Sequence, residues 1–267
     1  MSVSHESTMY ESTMFAALYG ELTAHPWRDP QAASSDAYSL FVARSSAMGW
    51  LATAAEAAPG GLWGMNDAGQ DLTGPRAAWF QVSLAEPLVP AGHPLPVQPF
   101  LACAGDVTAR IGALHLRAVQ LLLPVQALDT GGEPPATAAL TLLEDAGWFA
   151  DRDPHRGSRV RVTLDGGQNP AVRSAAPALV QWTRELDQNV FSCDVSSLTH
   201  GEGALDDFVR RPPVIDELWN GPAEHRATFD GTLAEWSLDA LGWLAAFLAE
   251  AGHRHGIDTP LMLTVTR

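Results

Sequence analysis

The final part of the chain restricts the fold most, because clear strand and helix patterns follow one another there. From Arg159 to Asp165 apolar and polar side chains alternate strictly, which is typical of a strand with one buried face. Asn169 and Pro170 then provide an N-cap residue and a first helical residue, and apolar side chains recur at helical spacing to about Asp187. Pro177 lies within this helix, so we expect a kink or a separate first turn.

Four further elements complete the pattern of this region. They are a strand at Val190–Ser196, a strand at Arg226–Leu233, a helix at Leu238–Ala251 and a strand at Leu261–Thr266. The resulting order, β-α-β-β-α-β, is that of the ferredoxin-like arrangement, in which two helices pack on one face of a four-stranded antiparallel sheet. We therefore predict an α+β protein whose residues 159–267 form a C-terminal ferredoxin-like unit.

The first half of the chain has weaker patterns. We predict a strand at Met14–Thr23, a long helix at Asp36–Ala58 and a strand at Ala77–Leu84. Five prolines between Glu86 and Pro99 indicate an extended surface crossing. Val107–Val125 is rich in Leu, Val and Ile, which predicts one long bent strand or a hairpin.

These patterns divide the chain into three parts. Residues 1–128 form an N-terminal α+β unit, residues 129–158 a linker with a short helix, and residues 159–267 the ferredoxin-like unit. The β-α-β-β order of the first half suggests a degenerate copy of the second half, packed against it. No residue-level repeat proves such a duplication, so we treat it as a hypothesis.

The basic residues of the chain exclude several kinds of site. All 16 are arginine, which rules out a Schiff-base lysine, pyridoxal phosphate anchored in the usual way and the P-loop lysine. The formal net charge of −15 argues against nucleic-acid binding by phosphate neutralisation. No segment reaches the roughly 18 uninterrupted apolar residues of a membrane helix. We expect neither nucleic acid nor membrane as a partner.

The cysteines and the first residues indicate the compartment. Cys103 and Cys193 are too few for a disulfide framework or a zinc site of their own, and we expect both to be buried thiols. Met1–Tyr10 has neither the basic nor the apolar part of a secretory signal. We therefore expect a cytoplasmic protein.

The sequence contains none of the common catalytic or cofactor motifs. It lacks G-x-G-x-x-G after a strand, G-x-x-x-x-G-K-[ST], G-x-S-x-G, H-E-x-x-H and C-x-x-C. His253 and His255 have the right chemistry for metal ligands, but they lie just past a predicted helix end, where basic residues interact favourably with the helix dipole. We predict no cofactor and no metal, and we assign no catalytic residue.

The polar face of the C-terminal sheet supplies most of the candidate binding residues. In a ferredoxin-like order the first and third strands are neighbours, which places Arg161 beside Arg226 and Asp230, with Asp194 on a flanking strand. This face can pack on the first half, form a dimer, bind a small anion through the arginines, or remain solvated. The sequence leaves these four outcomes open.

Three further residues are candidates for ligand or partner contact. His200 lies in a glycine-rich acidic segment, where with Asp194 it could form an acid-base pair. Trp63 and Trp219 lie beside glycine or asparagine, and we expect them to be exposed and to contact a partner or ligand.

Two functions are compatible with these features. The first is a cytoplasmic binding or assembly protein that acts through contacts with a protein partner or with itself, without catalysis. The alternative is a small-molecule enzyme that needs little or no cofactor and has a tryptophan-lined pocket with Arg, Asp and His as acid-base groups. The sequence alone does not decide whether the protein is an enzyme.

Overall fold

The computed structural model shows an α+β protein built around one antiparallel sheet. It describes residues 12–28, 36–52, 61–85, 93–128, 136–151, 157–200, 221 and 225–267. Within these ranges there are eight strands and five α-helices.

The elements of the first half include two that the sequence patterns did not predict, β2 and α2. In chain order they are β1 (Thr13–Ala24), α1 (Ala37–Ala47), β2 (Trp63–Gln70), β3 (Arg76–Leu84), α2 (Val97–Ile111) and β4 (Gly112–Leu123).

The second half follows the predicted order of elements. A short helix, α3 (Ala136–Ala146), leads into it, and the remaining elements are β5 (Ser158–Asp165), α4 (Ala171–Glu185), β6 (Phe191–His200), β7 (Arg226–Leu233), α5 (Leu238–Arg254) and β8 (Leu261–Thr266). α4 runs through Pro177 as a single helix, so the first turn is not split off.

The sheet joins both halves of the chain edge to edge. Its strand order is β2-β3-β1-β4-β8-β5-β7-β6, and β4 pairs with β8 from Ala118 opposite Thr266 to Leu123 opposite Leu261. We expected the first half to pack against the C-terminal unit. It extends the sheet of that unit instead, because the edge strand β8 finds its hydrogen-bond partners in β4.

The helices cover only one face of this sheet. Every helix contributes to one large core, together with alternate strand residues such as Leu18, Leu121 and Val162. A second, small cluster on the opposite face contains strand residues alone, among them Phe15 and Met262. We call this opposite side the second face of the sheet.

Helix α2 occupies the region where we expected an extended crossing and a strand. Pro96 is its N-cap residue and Pro99 lies in its first turn, where backbone N–H groups have no helical partner and proline is tolerated. Phe100, Ala104 and Val107 then follow at helical spacing and are buried. The proline count therefore gave the wrong prediction, and the strand begins only at Gly112.

Helix α5 is the centre of the core. It is buried continuously from Ala240 to Gly252. Trp243 stacks on Phe247 at 4.9 Å between ring centroids, and Phe247 stacks on Trp182 at 4.6 Å. The Trp243 Nε1–H group donates to the Leu142 carbonyl at 2.7 Å, which fixes α3 on α5.

Gly20 marks a close approach between β1 and β4. Its φ is +150°, and a Cβ atom there would lie 2.1 Å from the His115 carbonyl oxygen. We predict that Gly20→Ala lowers the free energy of unfolding by about 3 kcal/mol, because the backbone of β4 must shift. Chemical denaturation measures this change.

Gly64→Ala is the matched control. A Cβ atom at Gly64 would meet nothing within 4 Å, so we expect a change within about 1 kcal/mol. Equal effects of the two substitutions would contradict the close approach of β1 and β4.

Candidate functional site

The arginines on the second face lie opposite carboxylates rather than opposite each other. β5 and β7 pair so that Arg161 faces Asp230 and Asp165 faces Arg226. Arg161 Nε donates to Asp230 Oδ1 at 3.0 Å, and Arg226 Nε donates to Asp165 Oδ2 at 2.6 Å. The register therefore answers each positive charge with a negative one.

The two ion pairs differ in burial. The side chains of Arg226 and Asp165 are only 15% and 7% exposed, whereas those of Arg161 and Asp230 are 57% and 35% exposed. Burial raises the pKa of Asp165, although hydrogen bonds from Arg226 and from the Gly167 backbone oppose the shift. The inner pair is a structural element of the sheet, and the outer pair is accessible to a ligand.

Asp194 lies where the sequence placed it, on the strand that flanks β7. It is directly opposite Asp230 in the β6–β7 pairing, so two carboxylates are neighbours beside Arg161. His200 ends β6 opposite Ala227, but its side chain and all of Trp219 lie outside the described residues.

Trp63 is not exposed, so that expectation was wrong. It begins β2 and is fully buried, and its Nε1–H group donates to Ser45 Oγ at 3.2 Å. Its ring packs against Phe41 and Phe100. Glycine neighbours on an edge strand gave no sign that the helices α1 and α2 would cover this ring.

A chain of buried polar groups crosses the join between the halves on the second face. Tyr19 Oη donates to Gln120 Oε1 at 3.3 Å, and Gln120 Nε2 donates to Thr264 Oγ1 at 3.2 Å. Burial raises the pKa of Tyr19. These bonds tie β1, β4 and β8 together, and they satisfy polar groups that would otherwise be buried without partners.

The most exposed tryptophan among the described residues is Trp148, which the sequence analysis did not select. Its side chain is 76% exposed in the short 3-10 turn after α3. It lines a solvent-open cavity of about 460 Å³ whose other walls are Gln98, Glu144, Asp145 and Asp239. We call these five residues the α3 cleft.

The α3 cleft is strongly negative. The pKa of Asp145 is raised by partial burial and by repulsion from Glu144 and Asp239. No positive group of the described residues is among the causes of this shift. The spacing of Leu140, Glu144 and Trp148, four residues apart, was the available sequence signal, since it places them on one helix face.

The remaining candidates fit structural roles. His253 and Arg254 end α5 and His255 is its C-cap residue, as the helix-end interpretation predicted. Within the described ranges, no group of three or more His, Cys, Asp or Glu side chains is arranged to hold a metal ion. In the same ranges, no helix has the length and apolar character needed to cross a membrane.

Comparison of the chain with protein-family profiles, with curated proteins and with solved structures finds no match.

The inner ion pair predicts a pH-dependent stability effect. Arg226→Met leaves the Asp165 carboxylate buried without its cation, so we expect a loss of about 3 kcal/mol of unfolding free energy near pH 7. The substitution raises the pKa of Asp165 further above its unfolded value, so the loss decreases as the pH falls and the carboxyl group becomes protonated. Urea denaturation at several pH values measures it.

The outer ion pair is the control for this effect. Arg161→Met removes an exposed pair, and we expect a loss of at most about 1 kcal/mol. A loss as large as that of Arg226→Met would contradict the difference in burial.

The two thiols are predicted to be unreactive. Burial raises the pKa of Cys103 and of Cys193 to about 11, so little thiolate exists near neutral pH. We expect iodoacetamide to label the folded protein far more slowly than the urea-unfolded protein, as followed by mass spectrometry. Rapid labelling of Cys193 in the folded protein would contradict this expectation.

Proposed function

We propose that the protein is a non-catalytic binding protein that docks a basic segment of a protein partner in the α3 cleft. The observation that carries this proposal is an exposed indole, that of Trp148, in one cavity with Glu144, Asp145 and Asp239. Carboxylates attract a cation, and the face of an indole ring binds a guanidinium or ammonium group.

The cleft has a firm base. Leu142, Ala146 and Phe149 are buried and anchor α3 and the following turn in the core. Leu140, which is 56% exposed, extends the apolar surface one helix turn beyond Glu144. A rigid element that presents exposed apolar side chains beside charged ones is typical of a protein-binding surface.

Charge complementarity selects the partner. The formal net charge of the chain is −15, which attracts basic segments over a distance and repels acidic ones. Gln98 Nε2 donates to Asp239 Oδ1 at 3.1 Å and holds that carboxylate at the cleft wall. An arginine side chain of the partner can then stack on Trp148 while it pairs with the carboxylates.

The ion pairs of the second face favour binding over the enzymatic alternative. A general acid or base needs a proton that substrate can reach, but Asp165 is buried against Arg226 and Asp230 is engaged by Arg161. The cavity with an exposed tryptophan, the α3 cleft, is open to solvent and mostly acidic rather than enclosed and apolar.

The proposal extends to architecture and location. We propose that residues 1–128 and 159–267 are two ferredoxin-like units that arose by duplication and are connected through residues 129–158. The order β2-β3-β1-β4 mirrors β8-β5-β7-β6 about the β4–β8 pairing, which supports this origin. We place the protein in the cytoplasm, and its two free thiols fit a reducing compartment.

A labelled peptide of alternating arginine and glycine tests the proposed function. We expect its fluorescence anisotropy to rise saturably with the protein, and Trp148→Ala and Asp145→Asn each to weaken binding about tenfold. The same peptide with citrulline in place of arginine keeps the shape without the charge, and we expect it to bind about tenfold more weakly.

Trp27→Ala is the matched control, because Trp27 is also 70% exposed but lies outside the cleft. Equal affinity of the Trp148 and Trp27 variants would overturn the proposal. It would also be overturned if light scattering shows a dimer of the native protein that Trp148→Ala converts to a monomer, because the cleft would then hold a second copy.

A further inference from the structure

The sheet has a notch where β8 ends. The β5–β8 pairing ends with Arg161 opposite Thr266, and the β4–β8 pairing ends with Ala118 opposite the same residue. β5 continues to Ser158 and β4 to Gly112 on either side. A gap therefore opens between these two strands beyond Thr266.

Arginines surround this notch. The cavity there measures about 300 Å³ and is lined by Arg159, Val160, Arg161, Asp230, Thr266 and Arg267. The Arg267 backbone N–H donates to the Arg117 carbonyl at 3.1 Å, which fixes the chain at the base of the gap. We call this cavity the arginine notch.

The charges in the notch do not cancel. Its lining contains three arginines and one aspartate, in a chain of formal charge −15. Asp230 is paired with Arg161. Among the described residues, Arg159 and Arg267 have no ion-pair partner.

We propose that the arginine notch binds a small oxyanion, either a phosphate group or a dicarboxylate. A guanidinium is planar and presents several N–H donors that match the oxygens of phosphate or carboxylate in pairs. Asp230 occupies the Nε–H group of Arg161 and so orients its side chain. The anion then lies between Arg159, Arg161 and Arg267, near the Thr266 hydroxyl group.

The notch is distinct from the α3 cleft. The two sites share no residue, and their charges are opposite. The notch volume lies at the small end of the range for ligand sites, which suits a small anion better than a peptide. The proposal therefore stands independently of the proposed function.

Isothermal titration calorimetry with pyrophosphate, inorganic phosphate and succinate tests this proposal. At a low salt concentration of about 20 mM, where screening is weak, we expect saturable binding of one anion per chain for at least one of these probes. The comparison of the phosphates with succinate identifies the anion class. We expect Arg159→Gln to weaken binding about tenfold.

Arg44→Gln is the matched control, because Arg44 is a partly exposed arginine on α1 that pairs with Asp106 at 2.6 Å, away from the notch residues. It removes the same charge and should leave the affinity unchanged. Absence of saturable binding for all three probes, or equal weakening by both substitutions, would overturn the proposal. Trp148→Ala should leave anion binding unchanged, which separates failure here from failure of the proposed function.

Discussion

The pairing of β4 with β8 is the interaction on which the rest of the structure depends. It places Leu121 opposite Leu263 on the helix side and Gln120 opposite Thr264 on the second face. The first pair joins the apolar cores of the two halves, and the second carries the buried hydrogen bond between them. Because β8 is shorter than its neighbours, the same pairing also creates the arginine notch.

The charges of this protein are organised by the elements that hold them. On the second face, the strand register pairs Arg226 with Asp165 and Arg161 with Asp230, so charged groups are tolerated within a largely buried sheet. The α3 cleft and the arginine notch are different, because like charges meet there without full compensation. Uncompensated charge beside a cavity is what a ligand of opposite sign can relieve, and both proposed sites rest on this physical argument.

The sequence predicted most of the second half and less of the first. Strict alternation in β5, β7 and β8 fixed which side chains share a face, so the placement of Arg161, Asp194, Arg226 and Asp230 followed from period alone. In the first half, the prolines concealed the start of α2 and the glycines concealed β2. Burial of Trp63 and the acidic wall around Trp148 depend on contacts between distant elements, and local patterns do not encode such contacts.

Cross-strand nuclear Overhauser effects in the isotope-labelled protein test the joined sheet most directly. Our account predicts contacts between backbone protons of Leu121 and Leu263 and of Ala118 and Thr266, as strong as those between β5 and β7. If these contacts are absent while those within each half are present, the halves do not share a sheet. The notch would then not exist, and the common core would have to be abandoned.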